Sequence, residues 1–468
     1  MRIVGPSFLV LLAGCAAKQS RDDADKKEQK ETAAPYPSTY AAPRAAPVLI
    51  RDATVLTGTG ERIDEGDVLI VDGKISGVGR DLQAPEGATL IEGRGKWVTP
   101  GVIDVHSHLG VYPSPSIPAH SDGNEATDPV TANVWAEHSV WPQDPGFTTA
   151  LEGGVTSMQI LPGSANLMGG RAVTLKNVPA ATYQGMKFPG APHGFKMACG
   201  ENPKRVYGGR RQFPSTRMGN VAGYRAQWIE AQKYIEEQDE YQKKAGKGDK
   251  DAKAPDRDLR LDTLAGVLKG EILVHHHCYR ADEMAIVLDM AREFGYHVSA
   301  FHHASEAYKI ADLLAENGTC GAMWADWWGF KAESYDGIPE NIAIVDYAKN
   351  GCAIVHSDSD EGIQRLNQEA GKVIAAARGM GVEIPPERAI RWVTSNPARS
   401  LGIDKHTGSL EPGKMGDVVV WSRDPFSVYA LADHVFIDGV ARVDREHPPQ
   451  QPNSDFLLGQ PAVEGIQP

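Results

Sequence analysis

The stretch Val98-Thr-Pro-Gly-Val-Ile-Asp-Val-His-Ser-His-Leu-Gly110 decides how the rest of this 468-residue chain is read. Its short apolar run, Val102, Ile103 and Val105, has the pattern of a buried parallel strand and ends in His106-Ser107-His108. Side chains at i and i+2 of a strand share a face, so both imidazoles can be aimed at one point. Neutral imidazole is the commonest metal ligand, and two from one strand end make a good start on a site.

Other apolar runs end in similar residues. In Ile272-Leu-Val-His-His-His-Cys278, strand parity puts His275 and His277 on one face and His276 on the other. His277 is nearer the strand end, whereas His275 reads as a deeper, hydrogen-bonded residue. Ala300-Phe-His-His-Ala304 follows, with His303 lying 26 positions past His277 (303 − 277), room for one helix and one strand. Ala353-Ile-Val-His-Ser-Asp-Ser-Asp360 offers Asp358 and Asp360, with a helix expected to begin just beyond. In Gly194-Phe-Lys-Met-Ala-Cys-Gly-Glu201, Lys196 and Glu201 have opposite parity, so a regular strand aims only one inward. Glu201 stands at the end of this run beside Gly200, whereas Lys196 lies inside it.

Outward from these runs, apolar strands alternate with helical periodicity over residues 99–404, which favours a (β/α)8 barrel of the α/β class. Ala285–Ala291 and Tyr308–Leu314 carry the helix period, whereas Tyr224–Tyr241 reads as a helix followed by a solvated excursion over 243–258. Residues 48–98 and 405–445 show short alternating strands with Gly and Asp turns, and together read as one small β-sandwich built from both ends of the chain.

The composition, 41% hydrophobic and 23% charged, is ordinary for a globular protein. A net charge of −13, with no basic patch interleaved with aromatics, argues against nucleic acid as a partner. Residues 1–15 combine Arg2, an apolar core and Leu12-Ala-Gly-Cys15, which resembles a bacterial lipoprotein signal with Cys15 lipidated. Residues 16–47 then read as a flexible tether and 446–468 as a poorly ordered tail. An exported lipoprotein facing the periplasm or exterior, touching the membrane by its lipid alone, is the expectation. Cys199, Cys278, Cys320 and Cys352 are widely spaced in apolar contexts and are expected as buried free thiols.

From 48 to 445 the chain resembles the amidohydrolase superfamily, in particular imidazolonepropionase-like proteins and certain Xaa-Arg or Xaa-Pro dipeptidases. The resemblance rests on Thr99–His108, on His120–Glu125, Gly153–Thr156, Leu161–Asn166 and Asn396–Ala398, and on the order His-x-His, His, His, Asp. It implies His106, His108, His277, His303 and Asp358 as ligands of one or two divalent metals, Zn2+ first and Mn2+ or Fe2+ as alternatives. His302 and Asp360 stay as competing choices beside their neighbours. In this reading a fourth-strand residue bridges the ions: Glu201, which needs no modification to act as a ligand, is preferred, and Lys196, whose ammonium would first have to be carboxylated, is kept as the alternative. Tyr279 stands where some relatives carry a further histidine. Metal-assisted hydrolysis of a C–N bond is implied, in an amide, cyclic amide or dipeptide, with Asp358 accepting and returning a proton. A deaminase, or a binding lipoprotein without chemistry, is the competing function. Arg205, Arg280 and Lys331 are candidates for a substrate carboxylate, Trp324, Trp327, Trp328 and Phe330 for an apolar wall, and a homo-oligomer is compatible with the sequence.

Overall fold

A computed structural model describes residues 36–114, 116–327 and 329–448. The signal with Cys15, the tether up to residue 35, Trp328 and the tail from 449 fall outside the described residues.

The barrel is a single sheet of eight strands in the order of the chain. These are β6 (Val102–Ser107), β7 (Val155–Ile160), β8 (Met168–Lys176), β9 (Gly194–Ala198), β10 (Leu273–Cys278), β11 (Val298–His303), β12 (Cys320–Met323) and β13 (Ala353–Val355). Every neighbouring pair is parallel except those made by β8, which is antiparallel to both β7 and β9. The reason is the connection: residues 161–167 are too few for a crossover helix, so the chain turns back on itself. Elsewhere helices intervene, as with Ala281–Phe294 between β10 and β11. That helix buries Met284, Val287, Leu288 and Ala291 at helical spacing and stops at Gly295, whose φ of 78° supplies the left-handed cap. The helix expected around Tyr224 runs Arg217–Gly246. Among the described residues no helix is long and apolar enough to cross a membrane.

Both chain ends build the second sheet. Strands β1 (Val48–Leu56), β2 (Arg62–Val71), β3 (Lys74–Gly79), β4 (Thr89–Glu92) and β5 (Trp97–Pro100) join β14 (Val418–Trp421), β15 (Ala432–Ile437) and β16 (Val440–Asp444). The seam is the antiparallel pairing of β5 with β14, sealed by the Trp421 indole N–H donating to Thr99 Oγ1 at 2.9 Å. Ile50, Val55, Val68, Val98, Val418 and Phe436 form its apolar core. Only Gly101 separates β5 from β6, and a Cβ there would fall 2.0 Å from Thr156 Oγ1. The chain therefore passes straight from the flanking sheet into the strand that carries the two histidines.

Residues 36–40, inside the stretch 16–47 expected as a tether, lie on this body. Lys187 Nζ donates to the Tyr36 carbonyl (2.9 Å), Thr39 N–H to Gln184 O (3.0 Å), and Tyr40 Oη to Asp438 (2.5 Å). Their tyrosines offer both apolar surface and a hydroxyl, which the charged stretch before them lacks.

The cysteines correct the expectation of free thiols: Cys199 is bonded to Cys278 and Cys320 to Cys352. Strand adjacency is the cause. Cys199 and Cys278 stand one step past the β9–β10 partners Ala198 and His277, and Cys320 and Cys352 one step before the β12–β13 partners Gly321 and Ala353.

Sheet and barrel are tied by a buried cation. Lys176 of β8, with no exposed side-chain area, lies 2.7 Å from Asp438 and 3.3 Å from Asp417. Lys176→Met would leave two buried carboxylates without their cation. It is expected to lower stability by about 3–5 kcal/mol, read as a fall in the denaturation midpoint in urea.

Candidate metal centre

Each histidine that the sequence places at a strand end arrives at one end of the barrel. His108 Nε2 and His106 Nε2 lie 3.2 Å and 3.4 Å from Asp358 Oδ1, and His303 Nε2 lies 3.9 Å from Asp358 Oδ2. Two sets of ligand atoms within 4.8 Å of one another share His106: one with His108 and Asp358, the other with His303 and His356. His277 meets His303 edge to face, with ring centroids 4.6 Å apart. The ammonium of Lys196, fully buried on β9, lies 3.3 Å from His106 Nε2.

Backbone conformation explains how neighbouring residues reach different targets. His303 has φ 70°, Ala304 φ 37° and Asp358 φ 51°, all in the left-handed region that non-glycine residues rarely occupy. The turn at His303 breaks strand parity. His302 points into the barrel interior, His303 toward Asp358. At the other strand end, Asp104 Oδ1 accepts from the backbone N–H of His106 (3.0 Å) and of Ser357 (3.3 Å), and the Ser357 hydroxyl donates to Asp104 Oδ2. Asp358 N–H donates to His106 O at 3.0 Å. First and last strands are thus pinned together at the site.

The groups suit a cation. His108 donates from Nδ1 to the Leu161 carbonyl (2.9 Å), which leaves the Nε2 lone pair facing the site. Buried ring nitrogens at His277 Nδ1, His303 Nδ1 and His356 Nδ1 have no partner among the described residues. Burial, reinforced by the nearby Lys196 charge, holds His275 and His276 down to about 3. Burial likewise holds His356 to about 3, against the opposing pull of Asp358. Burial also drives His106, His277, His302 and His303 well below the ordinary range. These rings are neutral near pH 7, as ligation requires. At Asp358 burial pushes the carboxyl up, but the close contact with His108 and the nearby Lys196 charge outweigh it, so the carboxyl lies below its ordinary value. Burial brings Lys196 down to about 8, against the pull of Asp358.

The two fourth-strand candidates, Lys196 and Glu201, lie apart. Lys196 faces His106, whereas Glu201 opens the helix Glu201–Gly208, and its carboxylate lies 3.6 Å from Lys331. Gly200, at φ 75°, redirects the chain between them, and a Cβ there would fall 2.6 Å from Glu333 Oε1. Arg280 is also turned away, into an ion pair with Asp282 at 2.9 Å, and Arg205 is exposed on the helix that Glu201 begins. Trp324 stacks on His303 (4.2 Å) and Trp327 stacks on Trp324 (5.2 Å), so Trp327 is one ring removed from the histidines. Asp360 belongs to neither ligand set. Sequence reading passed over His356, Asp104 and the platform role of Tyr279. Tyr279 stacks on His303 (5.2 Å) and carries Lys331 Nζ 4.1 Å over its ring. The i−2 parity of His356 to Asp358 was the available signal.

A barrel with this ordered set of histidines and an aspartate defines the amidohydrolase class of metal sites. Comparison agrees: residues 97–445 match the model of the Amidohydrolase family, and the chain belongs to that family. It is 34% identical over 442 residues to amidohydrolase tasK of Hapsidospora irregularis, covering 85% of this chain and 43% of that relative. An imidazolonepropionase from Mesorhizobium japonicum is 25% identical over 390 residues, 77% of this chain and 87% of the relative. An amidohydrolase structure from Thermotoga maritima superposes with TM-score 0.77 at 35% identity, covering 85% of this chain and 100% of the other.

The buried neutral imidazoles make a pH prediction. Unfolded histidines take up protons below about pH 6.5, whereas the folded rings of His275, His276 and His356 resist until about 3. Stability of the metal-free protein is therefore present above about pH 6.5 and is lost as pH falls through this window, by about 1.4 kcal/mol per pH unit for each ring. Thermal melts across this range should show it. His276, whose ring nitrogens both lack partners, should give a shallower decline when changed to Leu.

Proposed function

We propose that this chain is a metal-dependent amidohydrolase that hydrolyses a C–N bond in a small amide, cyclic amide or dipeptide. The observation that carries it is the convergence of His106, His108 and Asp358, from the first and last barrel strands, with Lys196 Nζ beside them. The similarity to an imidazolonepropionase supports placement in that branch of the family.

His106, His108 and Asp358 would hold one ion. Lys196, as its carbamate, would hold a second together with His277 and His303. The bound metal, Zn2+ or else Mn2+ or Fe2+, supplies a Lewis acid that acidifies water and polarises a carbonyl. Asp358, ionised at neutral pH and a quarter exposed, accepts the proton released by the attacking water and returns it to the leaving nitrogen. His108, the other partly exposed member, faces the same opening. Tyr279 and Trp324 provide an aromatic wall against His303, and Lys331, lying across Tyr279, offers a cation to an anionic substrate group. Carboxylation of Lys196 proceeds by attack of its neutral amine on carbon dioxide with loss of a proton. Burial favours that neutral form.

Lipidation at Cys15 and export remain part of the proposal. The two disulfides support an oxidising compartment.

Chelation should abolish hydrolysis of dipeptides or cyclic ureides, and zinc or manganese should restore it. Asp358→Asn should lower kcat by roughly 10²- to 10⁴-fold. Full turnover by metal-free Asp358→Asn protein would sink the proposal. Ammonia released without peptide-like products would point to a deaminase, and failure to take up zinc would point to a binding lipoprotein. Bicarbonate-dependent recovery of stripped protein should rise with pH around 8, where Lys196 loses its proton, and should be absent in Lys196→Arg.

A further inference from the structure

Behind the metal ligands runs a line of hydrogen-bonded side chains that the hydrolytic chemistry leaves unused. His106 Nδ1 lies 2.8 Å from His302 Nδ1, His302 Nε2 lies 2.9 Å from His275 Nδ1, and His275 Nε2 lies 3.3 Å from the carboxamide of Gln159. These residues come from β6, β11, β10 and β7, so the line crosses the barrel interior, and none is more than 1% exposed. The neighbouring strand leaves room for it. A Cβ on Gly194 of β9 would fall 2.6 Å from the Gln159 carboxamide nitrogen and 3.1 Å from His275 Cδ2.

Each ring-to-ring contact needs one N–H and one lone pair, so the tautomer of one imidazole dictates that of the next. His106 Nε2 faces Asp358 and Lys196. As a ligand it must keep a lone pair there, which puts its proton on Nδ1. His106 Nδ1–H then donates to His302 Nδ1, and His302 Nε2–H donates to His275 Nδ1. His275 Nε2–H requires an acceptor at the end of the line. Gln159 Oε1 is a buried oxygen with no partner among the described residues. Turning the carboxamide over brings that oxygen to His275 without moving any other atom.

We propose that His302, His275 and Gln159 are positioning residues that lock His106 in the Nδ1–H tautomer, through a one-way line of hydrogen bonds ending on the Gln159 carbonyl. The inference rests on the metal ligation by His106 proposed above. It gives the two adjacent histidines of β11 different work: His303 faces Asp358, and His302 faces back into the line. Reversing the line would put a proton on His106 Nε2 and remove the lone pair that a metal needs.

The test is long-range 1H–15N correlation NMR on the zinc-loaded chain labelled with 15N-histidine, with single-site variants for assignment. The expected result is neutral His302 and His275, each protonated on Nε2. A proton on Nδ1 of either ring, or on both nitrogens of either, would overturn the proposal. Zinc affinity, measured by competition with a chelating dye, supplies a second readout. His302→Asn keeps an acceptor near the Nδ1 position and should bind zinc almost as the unaltered chain does, whereas His302→Phe should bind it roughly 10- to 100-fold more weakly. Equal affinities for the two variants would count against the line. If His302→Phe fails to fold, the tautomers of the unaltered chain decide. No zinc bound to the unaltered chain would refute ligation by His106 itself, while zinc bound with the wrong tautomers would refute only the line.

Discussion

Asp104 is the constraint on which this barrel depends. Between β6 and β13 no strand pairing is formed among the described residues, and the gap is bridged by one buried carboxylate. It gathers the backbone N–H groups of His106 and Ser357 and the Ser357 hydroxyl, and the Asp358 N–H then reaches the His106 carbonyl. Burial pushes its carboxyl up to about 7, against the hydrogen bonds from Ser357 and His106 that favour the ionised form. A short polar clamp thus does what a ladder does elsewhere in the barrel, and it does so where His106 and Asp358 must meet. Losing it would leave the Asp358 N–H to His106 carbonyl bond to hold the two halves of the site together.

Around this clamp the site is layered. The outer layer, His108 and Asp358, is partly exposed and meets solvent. The middle layer of His106, Lys196, His277 and His303 is dry, so its rings are neutral and its amine is less basic than usual. The inner layer consists of the His302, His275 and Gln159 side chains, which touch no solvent and act on the middle layer alone. Aromatic rings of Tyr279 and Trp324 close one flank by stacking on His303. Burial therefore does two jobs here, setting protonation and limiting which groups a substrate can meet.

Much of this was legible in the sequence because a strand has a period of two and ligands gather at strand ends. His106 with His108, and His275 with His277, follow that rule, and the barrel order of the runs follows from their spacing. What escaped were departures from regular backbone. The positive φ at His303 lets both His302 and His303 point inward, which no parity argument can foresee. Gly200 turns the chain so that Glu201 meets Lys331 while Lys196 keeps the strand's inward face. The disulfides escaped because their partners are 79 and 32 positions apart, and only strand neighbours matched residue by residue bring the sulfurs together. The antiparallel β8 followed from a connection whose shortness was visible but whose strand ends were not.

The seam between β5 and β14 has a consequence for the order in which the molecule assembles. Thr99 and Trp421 are 322 positions apart, yet their side chains are bonded, and β5 leads directly into the strand bearing His106. Contacts of such separation form late, because the closure entropy of a long loop must be met before they contribute. On a ribosome the first histidines emerge hundreds of residues before the strand that steadies them. A chain interrupted anywhere before β14 therefore carries His106 and His108 on a strand that lacks this seam.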